Sequence, residues 1–350
     1  VTEPTASEPT FPELGFYTLA GAPPSTRAVV DEMRAADEMG LGFGFISERL
    51  AYKEAATVSG AAGAVTERIR IATAATNHNT RHPQITAAYA NTMHSLTGGR
   101  FTLGLGRGFD RMFDAMGLPH ITNAQLEDFA GIMRRMFAGE MILGHDGPAG
   151  KWPYLAMRDI EPAQIDLGFV AIGPKSLALG GRVFDQVVLH TFFTDEYTAK
   201  AVRIVKDSAE QAGRDPDAVK VWSCFATVGD HIPYDLRIKK TVGRLVTYMQ
   251  GYGQLLVDVN GWDQSAMDRL KADEKFANFQ GAIDGVATTE ELEYFQTLIP
   301  EEWLAPMAAG SPEQCVAAIR NQFALGCDGV IMHGANPTEL APIVAEYAKG

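Results

Sequence analysis

The feature that most constrains this chain is a strict alternation of short apolar runs with amphipathic stretches. Apolar runs bounded by turn signals predict strands over 14–19, 41–47, 68–76, 101–106, 167–172, 185–190, 220–228 and 328–332. Helical periodicity fills the intervals at 25–39, 54–65, 83–96, 123–137, 174–181, 194–212, 311–325 and from about 338. Ser25 is expected to cap the first helix, with Gly40 just past its end. Parallel strands need long crossovers, so this alternation implies a parallel sheet. Eight units point to a closed α/β architecture, the (β/α)8 TIM barrel. Residues 233–306 contain helix-like segments and no obvious strand, so they read as a helical insertion between strands 7 and 8. The Gly/Pro-rich stretch 144–148 reads as a loop. The main rival is a doubly wound open sheet, but no GxGxxG follows the first strand. Residues 11–350 therefore read as one domain, behind a disordered lead-in over 1–10 that lacks the basic start and apolar run of a secretory signal.

Charge and cysteine content then narrow the function. With 30 basic and 43 acidic residues the net charge is −13, which opposes binding to nucleic-acid phosphates. A local pocket can still hold an anionic cofactor against that field. No stretch nears the roughly 20 apolar residues of a membrane span, and a cytoplasmic location is expected. Cys224, Cys315 and Cys327 are odd in number and lack CxxC spacing, which predicts reduced, buried thiols and no metal site.

Barrel chemistry sits at the C-terminal ends of the strands. Those ends carry Tyr17, Glu48 and Arg49, then Asn77, His78 and Asn79, Gly106-Arg107-Gly108, Gly173-Pro174-Lys175-Ser176, His190-Thr191 and His333-Gly334. A metal-dependent hydrolase would want an HxH in the first strand, which is missing. A Schiff-base aldolase would want a lysine inside the barrel, and Lys220 is at the wrong end of its strand. A glycosidase would want a second carboxylate opposite Glu48. The turn Gly173-Pro174-Lys175-Ser176 opens a helix with a charge at hand and suits a phosphate, although an ordinary turn with a solvated lysine fits equally well. The spacing Gly104-x-Gly106-x-Gly108 leaves room for a flat ring or a close backbone approach.

Taken together, several runs resemble the luciferase-like monooxygenase superfamily, specifically its branch dependent on the deazaflavin coenzyme F420. They are TERIRIAT from Thr66, Arg81-His82-Pro83, LTGGRFTLGLG from Leu96, GPKSLALGGRV from Gly173, Gly310-Ser311-Pro312-Glu313 and the last strand with His333. The resemblance spans nearly the whole chain and is weakest over 233–306. It implies a barrel whose deazaflavin, or alternatively FMN, lies over the strand ends. It also implies a non-proline cis peptide in strand three, by position Ala74–Ala75, against the cofactor's central ring. Gly106, Arg107 and Gly108 would border that cofactor, and Gly173, Pro174, Lys175 and Ser176 would contact its ribityl-phosphate arm. Sugar-phosphate dehydrogenases of the family carry a histidine after strand two and a glutamate after the strand-four glycines. Arg49 and Phe109 stand there in this chain, so a sugar phosphate is not the expected substrate.

The reaction expected from the resemblance is hydride transfer between F420 and a small organic substrate, an alcohol/carbonyl pair or an activated alkene. A proton must accompany the hydride, and His78 or Glu48 could carry it, with the amides beside His78 fixing its tautomer. Arg49 could hold Glu48 ionised or bind an anionic substrate. Phe109, Met112, Phe113 and Met116 read either as an apolar pocket wall or as a helix core stripe. Two alternatives stand beside this reading, an FMN-dependent monooxygenase and a non-catalytic cofactor-binding homologue. A homodimer is a further expectation from the family.

Overall fold

The computed structural model describes residues 9–350 apart from 22, 24, 51 and 158–160; residues 1–8 of the expected lead-in lie outside the described residues. Eleven strands follow in chain order: β1 (Phe11–Tyr17), β2 (Leu41–Ile46), β3 (Arg70–Thr73), β4 (Phe101–Leu105), β5 (Ile142–Gly147), β6 (Gly150–Leu155), β7 (Asp166–Val170), β8 (Gln186–Val188), β9 (Lys220–Gly229), β10 (Ala308–Gly310) and β11 (Gly329–His333). Eight of them, β1, β2, β3, β4, β7, β8, β9 and β11, pair in parallel in that order, and β11 returns to β1. The ring is closed, as the βα alternation predicts, and no strand of it is left with an unpaired edge.

Two layers of apolar side chains hold the ring. Tyr17, Phe43, Phe45, Ala72, Trp222 and Ile331 form a cluster of their own that fills the barrel interior. Phe43 and Phe45 stack at 5.4 Å, and both meet Trp222 edge-on. The larger cluster lies between strands and outer helices, where helix Asn123–Phe137 contributes Leu126, Phe129, Met133 and Met136. The three cysteines are buried and free.

Four details differ from the sequence reading. The 144–148 stretch is not a plain loop: residues through Gly147 belong to β5, which pairs antiparallel with β6 across the two-residue turn Pro148-Ala149. Ser25 does not cap the first helix. Its hydroxyl accepts from the Arg27 N–H, and the helix proper spans Ala28–Glu38 with no side-chain cap. Strand β3 stops at Thr73, short of the expected Thr76, and the peptide Ala74–Ala75 beyond it is cis. A short ninth parallel strand, β10, pairs with the overhanging end of β9, aligning Ala308 with Thr227 and Gly310 with Gly229.

Between β9 and β10 the described chain is helical. Helix Tyr234–Ile238 runs through a π turn, Lys239–Gly243, into helix Arg244–Asn260, and four shorter helices follow at Gln264–Ala272, Glu274–Ala277, Ile283–Val286 and Thr289–Leu298. Helix Arg244–Asn260 is kinked at Tyr252, whose φ of −146° and ψ of 29° are not helical. Its buried face carries Leu245, Met249, Leu256 and Val257.

Candidate active site

The C-terminal rim of the barrel is organised around the cis peptide. Ala74 N–H donates to the Ile46 carbonyl and Glu48 N–H donates to the Ala75 carbonyl, so the bulge stays stitched to β2. On the β4 side the ladder resumes only through Thr76, whose N–H donates to the Gly104 carbonyl at 3.0 Å. From inside the barrel the Tyr17 hydroxyl donates to the Ala74 carbonyl at 2.9 Å. The neighbouring glycines are there for this bulge. A Cβ on Gly104 would lie 1.7 Å from the Thr73 carbonyl oxygen, and one on Gly106 would lie 2.9 Å from the Ala75 Cβ. Of the two uses weighed for the Gly104-x-Gly106 spacing, backbone approach explains Gly104, while Gly106 keeps the surface beside Ala75 free of side chains.

Glu48 is the centre of a tight polar network. Thr76 Oγ1 donates to it at 2.7 Å and Asn77 Nδ2 at 3.2 Å. Arg81 forms ion pairs with both Glu48 and Glu54, and its other nitrogen donates to Thr76 Oγ1 at 2.7 Å. The Glu48 side chain is only 3% exposed. The guanidinium on Glu48 is therefore that of Arg81, not Arg49. Arg49 turns away to the Gly21 carbonyl and over the Tyr52 ring. Glu54 also caps helix Ala55–Ala64; burial alone would raise its pKa, but hydrogen bonds from Thr57, Arg81 and Ala56 bring it down to about 2.

His78 is buried, and its ring packs on Phe129 of the outer helix at 5.3 Å. Neither ring nitrogen has a hydrogen-bond partner among the described residues, and burial lowers its pKa to about 4. The amides beside it do not fix a tautomer: Asn77 Oδ1 accepts from the N–H groups of Asn79 and Thr80 instead.

The two turns expected at a cofactor are placed at the rim. Gly108 has φ of +66°, and Arg107, exposed, donates from Nε to the Ile121 carbonyl. Gly173 precedes helix Pro174–Val183 without any side-chain cap. Lys175 is exposed and makes no ion pair among the described residues, and Ser176 Oγ reaches Asn123 Oδ1 at 3.3 Å. Small or absent side chains at 74, 75, 106 and 173, an uncapped helix N-terminus and an unpaired lysine suit a flat tricyclic cofactor with a phosphate arm. Phe113 is core, whereas Phe109 is about half exposed and stacks on Tyr252 at 5.3 Å.

The sequence reading missed the side chains that helix Arg244–Asn260 brings to the rim. Arg244, Tyr248 and Tyr252 recur at i, i+4 and i+8, which puts them on one face. Tyr252 Oη lies 2.6 Å from His190 Nε2, and the Tyr248 ring meets His190 at 4.7 Å. Arg244 pairs with Asp284 at 2.7 Å and lies over Tyr248. Below them are the Tyr17 ring, edge-on to His333, and the Thr191–Cys224 contact at 3.2 Å. Burial pushes the His333 pKa well below normal, aided by Arg244, His190, Lys53 and Lys240. Lys53 is buried with its ammonium on the Thr18 and Leu19 carbonyls, and burial with Arg49 nearby lowers its pKa to about 7. The only sequence signal for the tyrosines was their spacing, in a region without a recognised motif. A separate groove lined by Glu127, Asp128, Arg135 and His145 lies on the outer wall between helix Asn123–Phe137 and the hairpin. Its Ala124 end adjoins Asn123, whose side chain reaches Ser176 of the Gly173 turn. Among the described residues no cluster has the makings of a metal site.

Residues 10–329 match the family described as luciferase-like monooxygenase, and the chain belongs to that family of enzymes. It is 28% identical over 273 residues to 5,10-methylenetetrahydromethanopterin reductase of Methanolobus tindarius, covering 76% of this chain and 77% of the relative. Among solved structures it resembles the coenzyme F420-dependent tetrahydromethanopterin reductase of Methanopyrus kandleri, with a TM-score of 0.78, 19% identity, and coverage of 98% and 99% of the two chains. It also resembles an F420-dependent secondary alcohol dehydrogenase in complex with an F420-acetone adduct, with a TM-score of 0.72, 16% identity, and coverage of 97% and 98%.

Proposed function

We propose that this enzyme transfers a hydride between coenzyme F420 and a small organic substrate, an alcohol/carbonyl pair or an activated alkene. The observation that carries the reading is the bare surface at Ala74 and Ala75, clamped by Tyr17 and kept free of side chains by Gly106, at the rim of a barrel whose named relatives include F420-dependent enzymes. Ala74, Ala75, Gly106, Arg107 and Gly108 would border the ring, and Gly173, Pro174, Lys175 and Ser176 would hold the phosphate arm. When bound, the deazaflavin supplies two-electron hydride chemistry. The protein orients the substrate, excludes water and manages the accompanying proton. In this reading Glu48 and Arg81 brace the bulge, Arg49 braces the loop after β1, and His78 wedges the rim against its outer helix. The enzyme is read as a cytoplasmic homodimer, and sedimentation measures the oligomeric state.

Binding titrations with F420 and FMN test the cofactor, followed by exchange assays over secondary alcohols, ketones and enones. Saturable binding of F420 with absorbance changes on adding one of these substrates is the expected result. Tight FMN binding with oxygen consumption would replace it with the monooxygenase reading, and F420 binding without exchange would point to a non-catalytic homologue. Lys175→Ala should weaken F420 binding roughly tenfold, the size of one charge-assisted hydrogen bond.

A further inference from the structure

We propose that Tyr252 gives and takes the proton of the substrate's reacting oxygen, with His190 positioning its hydroxyl and sharing that proton. This rests on the hydride-transfer reading above and concerns the half of the chemistry that a deazaflavin does not perform. His190 Nδ1 is 2.9 Å from the Thr191 carbonyl oxygen, which can only accept, so Nδ1 carries the hydrogen. Burial holds the ring neutral, with a pKa near 4. Nε2 therefore presents its lone pair to the Tyr252 hydroxyl, 2.6 Å away, and the hydroxyl donates to it.

The rest of the site keeps that hydroxyl in place. Tyr252 breaks the helical geometry of its own helix. Its ring is clasped between Phe109 at 5.3 Å and Tyr248 at 5.4 Å, while its oxygen stays at the end of β8. Of the two groups that the sequence offered for the proton, Glu48 is engaged by Arg81, Thr76 and Asn77, and His78 packs against Phe129.

A secondary alcohol that becomes a ketone loses a C–H bond, whose electron pair leaves as hydride to the oxidised deazaflavin, and one hydroxyl proton. That proton passes to Tyr252 Oη as the tyrosine's own proton passes to His190 Nε2, and the Thr191 carbonyl supports the resulting imidazolium. Reduction of a ketone runs the same two transfers backwards, and its oxygen takes the tyrosine proton.

The test uses the full chain as wild type, Tyr252→Phe and His190→Gln. Quenching of F420 fluorescence reports binding, oxidation of secondary alcohols by F420 reports turnover, and 15N NMR of histidine-labelled, cofactor-free protein reports the tautomer. Tyr252→Phe is expected to leave cofactor affinity unchanged and to lower kcat, not raise KM, by about 10²- to 10⁴-fold. The NMR should show one histidine protonated at Nδ1 whose Nε2 resonance moves in Tyr252→Phe. His190→Gln should turn a curved proton inventory, the mark of two protons in flight, into a linear one. Wild-type kcat in Tyr252→Phe, or a His190 protonated at Nε2 in the free protein, overturns the relay and leaves the cofactor reading standing. F420 binding with no alcohol oxidised also overturns the relay alone, whereas absence of F420 binding in the wild type overturns both.

Discussion

Gly104 shows how severely one atom can be constrained here. An alanine would place its Cβ 1.7 Å from a backbone oxygen of β3, and neither strand can move without opening the ring. Gly104→Ala should cost about 3 kcal/mol or more, or prevent folding, as read by denaturant titration. His78 illustrates a different constraint. Its folded pKa, about 4, lies below the ordinary value of 6.5, so the unfolded chain binds the extra proton first as pH falls. Its titration adds no pH dependence above about pH 6.5 and destabilises the fold progressively from there down to about 4, by about 3 kcal/mol in full. With no hydrogen bond on either nitrogen, a phenyl ring can take the same place. His78→Phe should match the wild-type melting temperature at pH 8 and lose less of it between pH 6.5 and 4. A large loss of turnover in that variant would return His78 to the chemistry.

At the level of elements, most of the barrel was legible because strands and helices differ in period, and helix Pro83–Leu96 begins and ends where Pro83 and the Gly98-Gly99 pair place it. The hairpin was not legible, because the glycines and proline around its Pro148-Ala149 turn look like any loop. Nor was the site contributed by helix Arg244–Asn260, whose tyrosines are indistinguishable from core residues until the helix is seen over the rim. The runs behind the family resemblance turn out to be largely architectural. In TERIR, the N–H groups of Glu67, Arg68 and Ile69 all donate to the Asp37 carboxylate. Arg100 of the Gly98-Gly99-Arg100 run donates to the carbonyls of Thr66 and Ile69. In Arg81-His82-Pro83, Arg81 ties the end of β2 to the bulge while His82 Nδ1 accepts from Gln84 N–H to cap the helix. Removing Arg81 would leave Glu48 a nearly buried carboxylate without its cation. Arg81→Met should therefore destabilise by about 3–5 kcal/mol, with partial recovery on adding Glu48→Gln. Arg81→Lys should rescue only part, since an ammonium cannot span two carboxylates as a guanidinium does. Equilibrium unfolding of these three variants beside the wild type measures all of this.

Across the whole molecule, the net charge of −13 coexists with strand-end cations, Arg49, Arg107 and Lys175, that make no ion pair among the described residues. Composition alone conceals that distribution, because acidic residues elsewhere outvote it. An anionic ligand approaching such a surface is steered by the local field. Its association should slow as ionic strength rises from 10 to 150 mM, about the range over which the Debye length falls from 30 to 8 Å; stopped-flow fluorescence would measure it.

The pairing of β9 with β10 has a consequence for how such an enzyme can change. Because Thr227 faces Ala308 and Asp230 N–H donates to the Gly310 carbonyl, the chain leaves the barrel and returns to it at adjoining points. Everything between those points is a cassette with a fixed socket. A different cassette of different length could be fitted to the same socket without shifting the register of any barrel strand. It would replace Arg244, Tyr248 and Tyr252 together while leaving Ala74, Gly106 and Gly173 in place. In the proposed reading, such an exchange would swap the proton-handling side chains and leave the bulge as it is.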